Sequence, residues 1–284
     1  MGLFDDILLT VDFDRTLTAT DSTIPQRNLE AIRYFMDNGG AFTVNTGRSR
    51  PMTKIFRDIV PVNAPLLVCN GSAAYDVAKD ELLLCKPIAL NPRDVVEHLQ
   101  QRYPDLTVEI QGRDAHYFFR KDPVWESYCE TNGCAWDYMA PEDIPGPFLK
   151  FSLYAKFIGN TVSSMYDADE DELSLCDEAQ AYVEKVYGHA VAAFRPCARI
   201  IDFHAKGTSK NQAARDLQKQ LGRKILVCVG DAYNDLPMLE GADYAFCPAD
   251  GMVADRFENV CPCGEGAVAD VIYEKIPAIL QNRP

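Results

Sequence analysis

Long apolar runs are missing from this sequence. No stretch approaches the roughly 20 apolar residues needed to cross a bilayer, so a membrane partner is not expected. The first residues, Met1-Gly2-Leu3-Phe4-Asp5-Asp6, lack a basic region followed by an apolar core, and no signal peptide is read there. Asp6 stands where a myristoylation motif wants Ser or Thr. Positive charge is scarce: 28 Lys and Arg against 42 Asp and Glu leave a net charge of −14. A field of that sign repels polyanions and argues against nucleic acid, while local cationic groups can still hold a small phosphate. Paired C-x-x-C knuckles are absent. The ten cysteines are scattered, several inside apolar runs such as Leu66-Leu67-Val68-Cys69, and Cys261-Pro262-Cys263 is too tight for a usual zinc pair. Spacing therefore points to no structural zinc. What remains is an ordinary globular composition, 47% apolar and 25% charged over 284 residues. It suits a cytoplasmic protein of one large or two modest domains, a monomer or weak homodimer.

Apolar runs and helical patterns alternate at both ends of the chain. Ile7–Val11 reads as a buried strand, residues 26–38 as a helix stopped by Asn38-Gly39-Gly40, and Ala41–Val44 as a second strand. A helix is expected over Arg50–Ile59, and a third strand over Leu66–Cys69, ended by Asn70-Gly71. After residue 203 the alternation returns: helix Ser209–Leu221, strand Ile225–Val229, helix from Asp235, and a final strand Tyr244–Cys247. This order implies a Rossmann-like α/β core with a parallel sheet and right-handed crossovers, built from 1–85 and 203–284. Residues 86–202 form a second α/β domain inserted between these halves. There Pro92–Tyr103 is helical, and 106–110, 117–119, 148–157 and 190–203 supply strands of a partly exposed sheet. The run Asp167-Ala168-Asp169-Glu170-Asp171-Glu172 is read as an acidic helix start, because consecutive helical residues do not converge on one ion.

Four segments carry candidate chemistry, each where a strand ends or a helix begins. Asp12 and Asp14 in Val11-Asp12-Phe13-Asp14-Arg15-Thr16 are two apart in an extended chain and project together from the carboxyl end of the first strand, the edge where open α/β sheets bind ligands. They repel unless one is protonated or a cation sits between them; capping of the next turn is the plainer reading. Thr46-Gly47-Arg48 offers a hydroxyl, a Gly and free helix-start amides, a phosphate cradle or an ordinary cap. Lys206 or Lys210 places a cation against a helix start. Asp231 and Asp235 in Gly230-Asp231-Ala232-Tyr233-Asn234-Asp235 suit Mg²⁺, which favours oxygen ligands, or cap the next helix with Asn234 as a turn former.

Taken together, in this order, the segments resemble the haloacid dehalogenase superfamily, and within it the Cof-type phosphatases. The family pattern D-x-D-x-T, T-G-R, Asn-Gly, Ser-Lys and G-D-x-x-N-D appears as Asp12–Thr16, Thr46-Gly47-Arg48, Asn70-Gly71, Ser209-Lys210 and Gly230–Asp235. The resemblance implies a core with an inserted α/β cap that selects the leaving group. It implies Asp12 as the nucleophile that forms an aspartyl-phosphate, and Asp14 as general acid and base. Mg²⁺ would be held by Asp12, the Asp14 backbone and Asp231, with Asp235 close by. Phosphate and substrate contacts would come from Thr46, Gly47, Arg48, Asn70, Lys210 and Asn234. The implied substrate is a small phosphorylated metabolite, a sugar phosphate foremost. The alternatives are a phosphomutase on the same fold and a non-catalytic phospho-ligand-binding protein. Three positions depart from the pattern: Arg15 replaces the usual Gly after the second Asp, Asn211 the Gly after the Lys, and Cys247-Pro248-Ala249-Asp250 the Asn-Ala step after the last strand.

Overall fold

A computed structural model describes residues 2–155 and 170–281. In chain order the strands are β1 Ile7–Val11, β2 Ala41–Val44, β3 Leu66–Val68, β4 Ala73–Asp76, β5 Glu81–Cys85, β6 Leu106–Gln111, β7 His116–Phe118, β8 Trp136–Tyr138, β9 Lys150–Ala155, β10 Val191–Cys197, β11 Ile200–Ala205, β12 Ile225–Val229, β13 Tyr244–Pro248 and β14 Glu258–Val260. The helices are α1 Gln26–Asp37, α2 Pro92–Arg102, α3 Pro123–Thr131, α4 Glu170–Tyr187, α5 Lys210–Gln220, α6 Leu236–Glu240, α7 Ala267–Asp270 and α8 Ile276–Gln281. The described residues divide into two compact units. The first comprises Met1–Thr46, Arg57–Leu83 and Ser209–Pro284, the second Gly47–Phe56 and Leu84–Thr208.

The first unit is built on a parallel five-stranded sheet, β14-β13-β12-β1-β2. β1 and β12 are buried along their whole length, as expected of parallel strands covered on both faces. Helix α1 buries Leu29, Ala31, Ile32 and Phe35 on one face. Full burial of each large member contributes about 2 kcal/mol. β3 joins β2 through one parallel bridge, Asn45 to Leu67, and then pairs antiparallel with β4. The chain thus adds a β3-β4-β5 sheet that periodicity alone does not suggest. Nor does the fold end at β13: β14 and helices α7 and α8 follow, so the strand at 244–248 is not the last.

The second unit holds a six-stranded sheet, β10-β11-β9-β6-β7-β8. One face is apolar: Val108, Ile110, Phe151, Leu153, Ile201 and Phe203 pack with Val96 and Leu99 of α2 and Ala179 and Val183 of α4. The opposite face carries Thr107, Glu109, Gln111, Lys150, Ser152, Tyr154, Asp202 and His204, brought side by side by the antiparallel register. The expected partial exposure falls chiefly on the edge strands β8 and β10, and every residue of the central strands β6 and β9 is buried. These polar groups pair with one another: Lys150 Nζ and Ser152 Oγ donate to Asp202 at 2.9 and 2.6 Å.

The helix expected over 50–59 is not formed. A short 3₁₀ turn spans Pro51–Ile55, and Phe56 leaves helical space at φ −136°. The physical reason is that the chain passes from one unit to the other at Phe56-Arg57, with Met52, Thr53 and Phe56 buried on the way. Of the acidic run, Asp167, Ala168 and Asp169 lie outside the described residues, as do residues 156 and 157 of the strand expected at 148–157. Glu170, Asp171 and Glu172 open α4, where negative charge meets the positive end of the helix. Glu172 pairs with Arg199 at 2.6 Å.

Candidate active site

The carboxyl edge of the parallel sheet gathers its charged side chains where β1 and β12 end. Asp12 continues the ladder, its N–H donating to the Val229 carbonyl at 2.9 Å. Phe13–Leu17 then close a tight turn, with the Leu17 N–H donating back to the Asp12 carbonyl at 3.2 Å. Inside this turn Arg15 has φ 57°. That is the left-handed region where a Cβ costs about 1 kcal/mol, which accounts for the Gly expected there. Thr16, buried in the same turn, donates its hydroxyl to Asp231 Oδ1 at 3.1 Å.

Lys210 is the first residue of α5, whose start is capped by Ser209 Oγ accepting from the Gln212 N–H at 3.1 Å. Its ammonium is buried and donates to Asp12 Oδ1 at 2.5 Å and to Asp235 Oδ1 at 2.6 Å. Asn45 Nδ2 fixes the helix start by donating to the Lys210 carbonyl at 2.9 Å. Gly71, at φ 88°, allows the loop after β3 to press on the same start, since a Cβ there would lie 2.4 Å from the Ser209 carbonyl oxygen. The other basic candidate, Lys206, belongs to the second unit and donates to the Gly188 carbonyl at 2.6 Å.

Asp235 has both oxygens engaged. Oδ1 takes Lys210, and Oδ2 accepts from the N–H groups of Asp231 and Ala232, each at 3.1 Å. It holds the loop after β12 and the lysine together. Only Gly fits at 230, because a Cβ would meet Asp235 Cβ at 2.7 Å. Carboxylate oxygens of Asp12, Asp231 and Asp235 lie within 4.8 Å of one another, all buried.

The charge balance of this cluster is uneven. Burial is the main force raising the Asp12 carboxyl well above the usual carboxylate range, with Asp235, Asp231 and Asp14 adding to it and Lys210 opposing. Asp231 is pushed up to about 7, by burial first and Asp235 next, against the Thr16 hydrogen bond and Lys210. Burial alone would lower the Lys210 ammonium; Asp12 and Asp235 override it and raise it. Three converging carboxylates facing one ammonium fit a divalent cation with oxygen ligands, which supplies the missing positive charge.

Among the other sequence candidates, Thr46 and Asn70 are buried and joined, the Asn70 N–H donating to the Thr46 carbonyl at 2.9 Å. Asn234 is half-buried in the 3₁₀ turn Tyr233–Asp235, and Asp14 is half-buried beside Asp12. Gly47 and Arg48 belong to the second unit, where Arg48 Nη1 donates to Asn132 Oδ1 at 2.6 Å. Reading the sequence for site residues passed over Asn45, although its place directly after a strand was the available signal. Thr16 stood in the quoted motif without a role.

Comparison with known proteins gives the family. The profile of haloacid dehalogenase-like hydrolases matches residues 9–254. The chain belongs to that family and is a hydrolase of it. An uncharacterized hydrolase of Schizosaccharomyces pombe is 24% identical over 281 residues, 94% of this chain and 90% of the relative. A haloacid dehalogenase-like hydrolase from B. subtilis superposes with a TM-score of 0.77 at 17% identity, covering 94% of this chain and 99% of the other. A subclass IIB sugar phosphatase of the same superfamily superposes with a TM-score of 0.76 at 14% identity, covering 96% and 99%. These structural likenesses carry the fold. No helix among the described residues is long and apolar enough to cross a membrane.

Proposed function

We propose that the protein is a Mg²⁺-dependent phosphatase of small phosphorylated metabolites, sugar phosphates foremost, working through an aspartyl-phosphate on Asp12. The observation that carries this reading is the buried Lys210 bridge between Asp12 and Asp235, set among more carboxylates than it can neutralise. The likeness to a sugar phosphatase supports the substrate class.

Phosphate monoesters hydrolyse extremely slowly in water, and a carboxylate nucleophile is repelled by a phosphate dianion. Lys210 reduces that repulsion and holds the Asp12 carboxylate in place. Asp12, the Asp14 carbonyl and Asp231 would hold Mg²⁺, with Asp235 orienting Lys210 and the loop. When bound, the cation supplies charge neutralisation for the equatorial phosphoryl oxygens. An Asp12 oxygen attacks phosphorus and the ester oxygen leaves. Asp14 gives that oxygen its proton, then takes one from the water that cleaves the acyl-phosphate. Thr46, Asn70 and Asn234 are the groups assigned to the phosphate oxygens. Gly47 is assigned with them and Arg48 to the substrate, and the second unit is assigned as the cap that selects the leaving group.

A phosphate-release screen over sugar phosphates, nucleotides and cofactor phosphates, with Asp12→Asn as blank, tests this reading. Mg²⁺-dependent release that the variant lacks supports it. Release by the variant, or transfer between two hydroxyls without release, overturns it.

A further inference from the structure

The second unit contains a cluster of metal-ligating side chains whose chemistry differs from that of the acidic centre. Ligand atoms of His116, Cys129 and Cys134 lie within 4.8 Å of one another, and all three residues are buried. Glu109 Oε1 is 2.6 Å from His116 Nδ1, and Cys129 Sγ is 4.0 Å from the same nitrogen. We propose that Glu109, His116, Cys129 and Cys134 bind a thiophilic divalent cation, Zn²⁺ foremost, as a structural site separate from the phosphoryl-transfer centre.

The dimensions suit such an ion. Bond lengths of about 2.0–2.3 Å put the ligand atoms of a tetrahedral zinc site about 3.3–3.8 Å apart. The separations among His116, Cys129 and Cys134 need to contract by no more than about 1.5 Å, while Glu109 Oε1, now 2.6 Å from His116 Nδ1, moves apart from it to take the fourth position. Sulfur with nitrogen favours zinc over magnesium, just as the all-oxygen set of Asp12, Asp231 and Asp235 favours magnesium.

The surrounding groups orient the ligands. Ser49 Oγ lies 2.7 Å from His116 Nε2, so a ring proton donated there leaves Nδ1 as the coordinating nitrogen. Glu109 Oε2 accepts from Gln111 Nε2 at 2.9 Å and from the Tyr154 hydroxyl, so Oε1, which faces His116 Nδ1, is the oxygen that turns to the ion when the shared proton leaves. Met52, Phe118, Trp125 and Tyr154 close an apolar shell around Cys129 and Cys134. The backbone prepares the thiols as well. Gly133, at φ 60°, turns the chain after α3, and the Cys134 N–H donates to the Cys129 carbonyl at 2.8 Å.

Without metal, Glu109 and His116 share one proton as an ion pair, and Cys129 and Cys134 are thiols. Loading expels the imidazolium proton and both thiol protons to solvent, and no redox step is involved. The site then ties the β6-β7 hairpin to the end of α3. Its spacing is invisible in the sequence, because Cys129 and Cys134 are five residues apart and the other two ligands lie on separate strands.

The test is a Co²⁺ titration of the reduced full-length chain after chelator treatment, run on the wild type and on Asp231→Asn. We expect thiolate-to-cobalt charge-transfer and tetrahedral ligand-field bands that saturate at about one equivalent in both proteins and are bleached by Zn²⁺. The bands should be lost in the double variant Cys129→Ser, Cys134→Ser. If that variant does not fold, the wild-type titration decides alone, since no other metal-ligating cluster among the described residues contains a thiol. Absence of a charge-transfer band in the wild type, or a band that survives in the double variant, overturns the site.

Discussion

Two buried charged clusters, one in each unit, answer burial in opposite ways. In the first unit, Asp12, Asp231 and Asp235 share a single ammonium, and the carboxyls of Asp12 and Asp231 are driven toward their neutral forms. In the second, Glu109 faces His116 at 2.6 Å. Burial alone would raise the Glu109 carboxyl and lower the His116 imidazole. Each partner overrides that, holding Glu109 at about 2 and His116 at about 9. Lys150 and Asp202 repeat the balanced arrangement nearby. Depth is the same in both places, so it is the count of opposite charges that differs. A surplus of acids stays costly until a cation arrives, whereas the balanced pair is satisfied by its shared proton and takes up a metal only by giving that proton up.

The comparison can be broken most severely at Asp12. Asp12→Asn, nearly isosteric, should lower turnover by at least about 10⁴-fold while circular dichroism and thermal midpoint stay near those of the wild type. Full Mg²⁺-dependent turnover in that variant would remove Asp12 from the mechanism. Stability should then separate the two clusters by sign. Glu109→Gln strands a buried imidazolium, or forces it to lose its proton, and is expected to cost about 3 kcal/mol in chemical denaturation. Asp231→Asn removes one of the surplus carboxylates and should stabilise the metal-free protein by about 1 kcal/mol at neutral pH while losing activity. Two losses of equal size would erase the distinction drawn here.

Acid sensitivity sharpens the same contrast. His204 is buried, and burial with Lys150 beside it holds its imidazole well below the usual value of 6.5. The folded chain keeps it neutral while the unfolded chain protonates it. Stability is therefore fully present above about pH 6.5 and is lost as pH falls, at no more than about 1.4 kcal/mol per pH unit. The raised carboxyls of Asp12 and Asp231 give the opposite slope over the same range, so the His204 share is read as a difference: denaturation curves of the wild type and His204→Asn at pH 7, 6 and 5 should diverge by that slope. The smallest effect is expected at Arg15→Gly, which relieves the φ 57° backbone and should add about 0.5 kcal/mol with the acidic cluster intact.

Much of this arrangement was legible before any coordinates. Ile7–Val11 and Ile225–Val229 are unbroken apolar runs, which parallel strands covered on both faces require, and the acids stand directly after them. Ser209 before Lys210 is a readable cap. The helix expected at 50–59 failed because its apolar positions serve a crossing between units, which local periodicity does not encode. The β4-β5 hairpin escaped notice because β5 leaves Leu83 and Leu84 largely exposed, without a clean alternation. The polar face of the second unit left only a faint trace, the alternate residues Thr107, Glu109 and Gln111. That face is completed by partners distant in the chain, as with Tyr154 on Glu109, 45 positions apart, and Ser152 on Asp202, 50 positions apart.

The central claim, that Asp12 takes up the phosphoryl group beside Lys210 and Asp231, is tested most directly by trapping the covalent species. The enzyme is mixed with a turned-over phosphate ester and Mg²⁺, quenched, and reduced with borohydride, which converts an aspartyl-phosphate to homoserine. Peptide mass spectrometry should then find homoserine at position 12 only, and only when substrate and Mg²⁺ are both present. Reduction at another carboxylate, or an unmodified Asp12 under conditions of steady phosphate release, would contradict the account.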